Sequence, residues 1–403
     1  MKAVFAHDTI LYKNNPNEYY TNGNLPYEVF QRYLQHFDEL TVISRCQDIS
    51  TLESTKGLKL SSGPNVSFVP VPSLSNPKAM LFKRNKAQKI LFDEISKADA
   101  LIARVSLTGR LAIQVAERLK KPWAVEVVGC SWDALWNYGN WKGKVYAPYA
   151  ELQNKALIRR APFVLYVTKE FLQKRYPSNG KTVACSDVEL PFTSDDVLQM
   201  RLVRIKNKPS PLKIGLIGSM SAKYKGIDVA LKALYNAKKE LPPFEFHILG
   251  SGNAEPFKEI ARKLGLSEIT YFCGTLPGGN PVLNWLDNID LYIQPSLTEG
   301  LPRALIEAMS RGCPALGSTA GGIPELLDES CLHKPGDSNA LSEAILKSVN
   351  NHEWLEQQAR RNFITASDYT KDKIDKARYD FWSEFAQYVK SLNKRKAGEI
   401  NLN

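Results

Sequence analysis

Residues 294–326 read QPSLTEGLPRALIEAMSRGCPALGSTAGGIPEL, and the fold is decided here. The apolar run Leu291–Ile293 just before them reads as a short buried strand. A polar, Pro-containing loop follows. Pro302 then opens a helix, since a first helical position has no use for the N–H that proline lacks. Ala304, Leu305, Ala308 and Met309 give that helix an apolar stripe, and Gly312 and Pro314 end it. Strand, loop and helix in this order set free N–H groups beside the strand's carboxyl end, where an anion such as a diphosphate is favoured. Glu299 stands before the helix and Glu307 within it, eight residues on. Carboxylates accept well from vicinal hydroxyls, so the segment reads as a nucleotide-sugar site. A plainer alternative is a solvated helix on which Glu307 pairs with Arg303 at i,i+4.

The order Glu299-Gly300-Leu301-Pro302…Glu307, followed by Gly321-Gly322-Ile323-Pro324-Glu325, resembles the signature of the retaining glycosyltransferases of family 4. The resemblance implies the GT-B fold: α/β, two Rossmann-like doubly wound domains facing across a cleft, with a C-terminal helix returning to the first domain. It implies that Glu299 contacts the donor-sugar hydroxyls, that the backbone of Gly300, Leu301 and Pro302 holds sugar and diphosphate, and that Glu307 holds the ribose hydroxyls. Upstream, Gly218–Gly226 (GSMSAKYKG) resembles the first loop of the family's donor domain. There Lys225 matches the lysine that neutralises the donor phosphates, and Gly218 begins the loop. Ser219 stands where the family usually has an arginine, and Lys223 is a candidate for the missing charge. Leu276 is the expected base contact. The resemblance is strong over 212–327 and topological over 1–190.

Composition agrees with an ordinary globular enzyme. The chain has 403 residues, 43% hydrophobic and 24% charged, enough for two or three domains. Six scattered cysteines with no C-x-x-C pair read as reduced core thiols, and no metal-ligand spacing is present. The first residues form a strand rather than a signal peptide, and no apolar run reaches membrane-spanning length. A cytoplasmic protein is expected. The net charge of +11 is uneven: residues 1–190 carry 26 Lys and Arg against 17 Asp and Glu, the remainder 27 against 25. A basic first half suggests an anionic partner, but no nucleic-acid module is recognisable. Contact with an anionic membrane at the inner face is the expectation.

Taken in order, Lys2–Ala6 reads as a first strand, His7 to Gly23 as a polar loop and Pro26–Phe37 as a helix. Gly23 and Asn24, just before that helix, correspond to the family's diphosphate or acceptor loop; an ordinary turn would look the same. Leu40–Ser44, Val66–Val69, Ala100–Ala103, Trp123–Val128 and Phe163–Val167 read as strands with helical patterns between the later ones, the doubly wound alternation. Residues 78–97 form a helix in which Leu81, Phe82 and Phe92 mix with Lys83, Arg84, Lys86 and Lys89. It is either a core-facing helix with a basic outer side or a membrane-surface helix. The loop after Trp123–Val128 lacks the histidine that many relatives place there. Asp133, Glu126 or a backbone carbonyl takes its part, Asp133 being the first choice, with an N-cap as the plain alternative. Trp132, Trp136, Tyr138 and Trp141 crowd the same loop, as sugar platforms or as core. Residues 193–211 read as the linker between a first domain (1–192) and a donor domain (212–370), with 371–403 as the returning helix and its tail.

The function implied is transfer of a hexosyl or N-acetylhexosaminyl group from a nucleotide-diphosphate sugar, UDP by preference, to a hydroxyl of a glycan or lipid-linked glycan, as in bacterial surface polysaccharide assembly. Glu299, Lys225 and Asp133 are the expected catalytic residues. No cofactor is expected, and no metal, because protein groups meet the diphosphate charge. A nucleotide-sugar epimerase of the same fold and a catalytically silent nucleotide-sugar-binding protein are the competing readings. The donor loop's Ser219 and the absent histidine motivate the silent one.

Overall fold

The computed structural model describes the chain except residues 24, 50–54, 56, 75–76, 138–140, 222 and 401–403. Asn24 and Tyr138, both singled out above, therefore lie outside the described residues. Nine strands make the first sheet among the described residues: β1 (Lys2–Asn15), β2 (Glu18–Thr21), β3 (Glu39–Asp48), β4 (Lys59–Leu60), β5 (Val66–Val71), β6 (Ala100–Arg104), β7 (Trp123–Val127), β8 (Phe163–Tyr166) and β9 (Lys181–Ala184). Six make the second: β10 (Leu212–Ile217), β11 (Phe244–Leu249), β12 (Thr270–Phe272), β13 (Leu291–Gln294), β14 (Ala315–Ser318) and β15 (Leu332–His333).

The first sheet has a parallel core in the order β5-β3-β1-β6-β7-β8-β9. Its strands are apolar without alternation because both faces are covered. Along β1, Ala3 and Phe5 join one core with Phe30 and Tyr33, while Val4 and Ala6 join the other with Leu91 and Leu111. The second sheet is parallel throughout, in the order β12-β11-β10-β13-β14-β15. Each sheet thus turns its strands' carboxyl ends, where ligands gather in doubly wound domains, toward the cleft between them.

Three expectations change. The first strand does not stop at Ala6: after a bulge at His7–Thr9 it resumes beside β3, from Ile10 paired with Arg45, and ends in a hairpin with β2. Leu11 buries its side chain on this extension, an apolar signal the surrounding polar residues hid. The expected linker contains a helix, Asp195–Asn207, docked on the second domain. Its Arg201 is buried and donates to the carbonyls of Arg311, Ile289 and Leu286, which is what orders so polar a segment. Of the six cysteines, all free, Cys273 is exposed rather than in the core.

The final helix, Lys371–Ile400, crosses back onto the first domain as expected. Phe381, Trp382, Phe385 and Val389 are buried along it. Trp382 meets Tyr33 edge to face with ring centroids 5.1 Å apart, and Phe163 packs on Phe385 at 5.2 Å. This seam joins the apolar core of one face of the first sheet to that of the second domain. Trp382 is fully buried, and its Nε1 has no partner among the described residues, so its contribution is apolar. Trp382→Ala is therefore expected to lower stability by about 3–5 kcal/mol, read as a shift in the urea midpoint without loss of the second sheet's own exchange-protected amides.

Candidate functional site

The donor side is built where β10 and β13 end. After β10 the chain turns through Gly218–Met220 into a 3-10 turn, Lys223–Lys225, and then the helix Ile227–Ala237. Gly226 takes a left-handed φ of +71° between them, and a Cβ there would lie 2.0 Å from the carbonyl oxygen of Pro295. The Leu297 N–H donates to the Tyr224 carbonyl at 2.7 Å, so the loops after β10 and β13 are tied together. Their side chains then meet: Lys225 Nζ lies 2.6 Å from Glu299 Oε1.

Glu299 is nearly buried, and the same Oε1 also accepts from Ser296 Oγ (2.8 Å) and Gln294 Nε2 (3.1 Å). Its Oε2 has no partner among the described residues. One oxygen is locked and the other is unengaged. Gly218 gives room to the Lys225 stem, since a Cβ there would sit 2.9 Å from Lys225 Cγ. Ser219 is not a charge: its Oγ accepts from the Ser221 N–H (3.2 Å) and donates to the Ser251 carbonyl (3.4 Å), shaping the loop. Lys223 is exposed and has no ion partner among the described residues.

The Gly-Gly pair earlier seen only as part of a motif has a steric reason. Gly321 has φ +58°, and a Cβ on it would come within 2.1 Å of the Glu299 carbonyl oxygen, while the Gly322 N–H donates to the Gly300 carbonyl at 2.7 Å. Gly300 itself lies against the first domain, with Val128 O 2.6 Å from where its Cβ would be. Leu301 packs against both apolar cores. Pro302 is the residue before the helix rather than its first, extended at ψ 106°; the helix runs Arg303–Ser310. The one-residue difference follows from proline's effect on its own entry turn and leaves the free first-turn N–H groups in place.

Glu307 faces the cleft from that helix, and burial raises its pKa against the opposing pull of Arg303. No ion pair within bonding distance joins Arg303 to Glu307 among the described residues, so the i,i+4 pairing alternative is not what the structure shows. Arg303 instead lines the cleft, a cavity of about 1650 Å³ between the domains, with Gly278 and Gly279 on the same wall. Leu276 is 39% exposed on the loop leading there, and its followers Pro277–Gly279 rather than Leu276 form the wall.

The opposite wall comes from the first domain. Asn22 and Gly23 lie on it, Gly23 with φ +111°. So do three residues that carry no sequence motif: His7, Arg32 and Arg104. His7 lies in the β1 bulge, where its Nδ1 accepts from the Thr9 N–H at 3.2 Å. Burial, then Arg104, lowers its pKa to about 4, so it is neutral near pH 7 with the proton on Nε2. Arg104 pairs with Glu126 (2.6 Å), which also accepts from Tyr33 Oη (2.6 Å). Glu126 is thus a buried partner, not a free sugar contact. Burial opposes ionisation of Asp187, yet Arg104, Arg32, Arg378 and Arg303 hold its carboxyl below the usual range. Position alone could have pointed to Arg104 and His7, since both follow strands of the doubly wound core toward its ligand edge.

Asp133 is placed at the seam between domains. Its carbonyl accepts from Thr298 Oγ1 (3.3 Å), and Asn137 Nδ2 donates to the Leu297 carbonyl (3.3 Å). Its carboxylate has no partner among the described residues, and the N-cap of its short helix is Cys130, whose Sγ accepts from the Asp133 N–H. The cap alternative therefore fails. Trp132 stacks on Trp136 at 5.2 Å, whereas Trp141 stands 70% exposed on the next helix. The structure brings Lys225 and Glu299 together, and sets Glu307 and Gly23 on facing walls of one cleft.

Two doubly wound domains with a lysine–glutamate pair and a helix start at their cleft define a glycosyltransferase of the GT-B fold. The comparisons agree. Residues 211–351 match the family described as "Glycosyl transferases group 1". Over 376 residues the chain is 34% identical to Protein CapJ of Staphylococcus aureus, covering 93% of each. It is 35% identical over 149 residues to the amylovoran biosynthesis glycosyltransferase AmsK of Erwinia amylovora, 34% of this chain and 36% of that one. The solved structure of Anabaena HepE in complex with UDP-glucose superposes with a TM-score of 0.60 at 16% identity, covering 97% of this chain and all of that one. The chain belongs to the group 1 glycosyltransferases, and it is a transferase enzyme.

One further contact crosses the cleft. The Glu325 carboxylate accepts from the backbone N–H groups of Lys169 (2.6 Å), Glu170 (3.0 Å) and Phe171 (2.5 Å), closing the start of a helix in the other domain. Its place in the motif was legible, its partner was not. Glu325→Ala removes the acceptor of three amides, at a cost of about 0.5–2 kcal/mol. Hydrogen exchange at residues 169–171 is expected to speed up while exchange in β10 and β13 stays unchanged.

Proposed function

We propose that this enzyme transfers a hexosyl or N-acetylhexosaminyl group from UDP-sugar to a hydroxyl of a glycan or lipid-linked glycan, retaining the anomeric configuration as family 4 enzymes do. The 2.6 Å pair of Lys225 with a Glu299 whose second oxygen is unengaged carries the reading. In it, the donor diphosphate lies between Lys225 and the first turn of Arg303–Ser310, and Glu299 Oε2 accepts from a donor-sugar hydroxyl. Glu307, desolvated on the cleft wall, receives the ribose hydroxyls. Gly218, Ser219 and Lys223 shape and charge the phosphate loop. The loop after Leu276 flanks the base, and Gly23 faces the acceptor side. Asp133, with an unengaged carboxylate beside Thr298, is a polar contact for the transferred sugar.

The chemistry is a same-face displacement. The bond from the anomeric carbon to the phosphate oxygen breaks, the bond to the acceptor oxygen forms, and the acceptor's proton passes to the departing phosphate. Glu299 has no covalent role in this reading: its pairing with Lys225 draws on its charge, and its Oε2 is taken up by the sugar hydroxyl. Leaving-group stabilisation is then the main term, about 3–4 kcal/mol for each well-aimed donor. Lys225 and the helix start supply it without a metal. HepE was solved with UDP-glucose, and AmsK is named for the biosynthesis of a polysaccharide, which support the donor and a role in surface polysaccharide assembly. A lipid-linked acceptor is favoured by the basic first domain, and so is work at the inner face of a membrane; no helix among the described residues is long and apolar enough to cross one.

Calorimetric titration with UDP, GDP and ADP, in the presence and absence of EDTA, tests the reading. UDP is expected to bind tightest regardless of EDTA, and Glu307→Ala to weaken it by about 1–3 kcal/mol. Tighter GDP or ADP binding, or full UDP affinity in the variant, would refute the assignment.

A further inference from the structure

Three helices cover one face of the first sheet: Pro77–Ser96, Leu107–Arg118 and Trp141–Arg159. Leu91, Leu111 and Leu157 meet Val4, Leu101 and Val125 in one core beneath them. The middle helix is sunk between its neighbours: Arg110 donates to Tyr146 Oη at 2.8 Å, and Glu117 pairs with Arg160 at 2.7 Å. The two outer helices turn apolar side chains to solvent. On Trp141–Arg159, Trp141, Val145, Tyr149 and Leu152 are 70%, 69%, 55% and 66% exposed. They fall at i, i+4, i+8 and i+11, a single stripe on a helix whose inner side is already filled by Ala147, Ala150, Leu157 and Ile158.

Single exposed apolar residues need no account, but a continuous stripe does. Its charged neighbours are Lys142, Lys144, Lys155 and Arg159, all exposed. The helix's only acid, Glu151, is turned inward to Tyr176 and Arg175 and pairs with Lys155 at 3.3 Å, which leaves Lys142, Lys144 and Arg159 without an acid partner among the described residues. On the other outer helix Leu81 and Phe82 are 77% and 78% exposed. Around them Lys83, Arg84, Lys86 and Lys89 are exposed and pair with no acid among the described residues. A second copy of this chain would set these cations against their own kind. An anionic bilayer is complementary to both parts: aromatic and aliphatic groups at the acyl boundary, cations at the phosphates.

We infer that this face docks on an anionic lipid bilayer, with Trp141–Arg159 lying along the headgroups and the first turns of Pro77–Ser96 as the second contact. The inference deepens the lipid-linked acceptor reading and rests on it for its purpose. Leu81 and Phe82 stand at the start of a helix that follows a strand, the edge that faces the cleft, and the stripe on Trp141–Arg159 begins at that helix's first residue. Trp141 comes shortly after Asn137, which holds the donor-domain loop at Leu297. Docking would therefore bring a membrane-held acceptor to the first domain's wall of the cleft.

Sedimentation with vesicles of phosphatidylglycerol and phosphatidylcholine, against phosphatidylcholine alone, tests this on the full chain. Binding is expected only with the anionic lipid and to weaken with salt. It should fall at least about tenfold in the combined variant Val145→Ser, Tyr149→Ser, Leu152→Ser, and likewise in Lys83→Glu, Arg84→Glu, Lys86→Glu. Transfer to a water-soluble acceptor should be unchanged in both, which shows that they fold. Wild-type levels of binding in both variants, or no binding of wild type to anionic vesicles, would overturn the proposal. So would a dimer in analytical ultracentrifugation that the serine variant dissociates. Transfer to a lipid-linked glycan without vesicle binding would sink docking alone. Vesicle binding by an enzyme that uses only soluble glycans would sink the acceptor reading alone.

Discussion

The arrangement depends on one constraint: a nearly buried carboxylate, Glu299, must be held beside Lys225 with one oxygen engaged and the other spare. Removing two charges from water is costly, and their attraction offsets it only when the remaining hydrogen-bonding capacity is met. Here Ser296 and Gln294 meet it on the engaged oxygen, and Gln294 sits at the end of β13. Its neighbour Tyr292 donates to Gln294 Oε1 at 2.7 Å, so the amide is oriented from the core outward. The backbone on the other side is fixed by Gly321 and Gly322, whose missing side chains let two loops touch. A ligand that brings a diphosphate to Lys225 and a hydroxyl to Glu299 finds both already desolvated and aimed, which is the preorganisation that electrostatic catalysis needs.

The same loops also join the domains. Gly300 rests on Val128, Thr298 on Asp133, and Glu325 on the helix start at Lys169–Phe171. Along the first domain's wall of the cleft, Arg32, Arg104 and Arg378 share Asp187, Glu189 and Glu126. Arg378 comes from the returning helix, so this network and the aromatic pair of Trp382 with Tyr33 fasten that helix to the first domain at two places. The loops proposed to hold the donor and the loops that join the domains are thus the same, so a donor bound as proposed would act on the relative position of the domains as well.

The second domain was largely legible because its signals are local. Leu291–Ile293 was read as a strand to within one residue of the bounds the structure shows. Proline, glycine and the paired glutamates punctuate the central loop in sequence order. The first domain was legible as alternation but not in detail. β1 runs on to Asn15 because Leu11 finds a core that only the fold supplies, and the polar residues around it read as a loop. The helix at Asp195–Asn207 is held by Arg201 through carbonyls 85 to 110 residues away, and no local pattern encodes such a partner. Asp133 was marked for its carboxylate, whereas its carbonyl makes the contact across the seam. His7 and Arg104 escaped because a bulge and a strand end placed them in the cleft without any motif.

The central claim is that Lys225 acts on the leaving diphosphate while Glu299 orients the sugar. The direct test is steady-state kinetics of Lys225→Ala alongside its affinity for UDP. The account predicts that kcat falls by at least about a hundredfold, the size of one lost charge-stabilising donor, while UDP affinity falls far less. Equal losses in turnover and affinity, or a kcat near wild type, would contradict it.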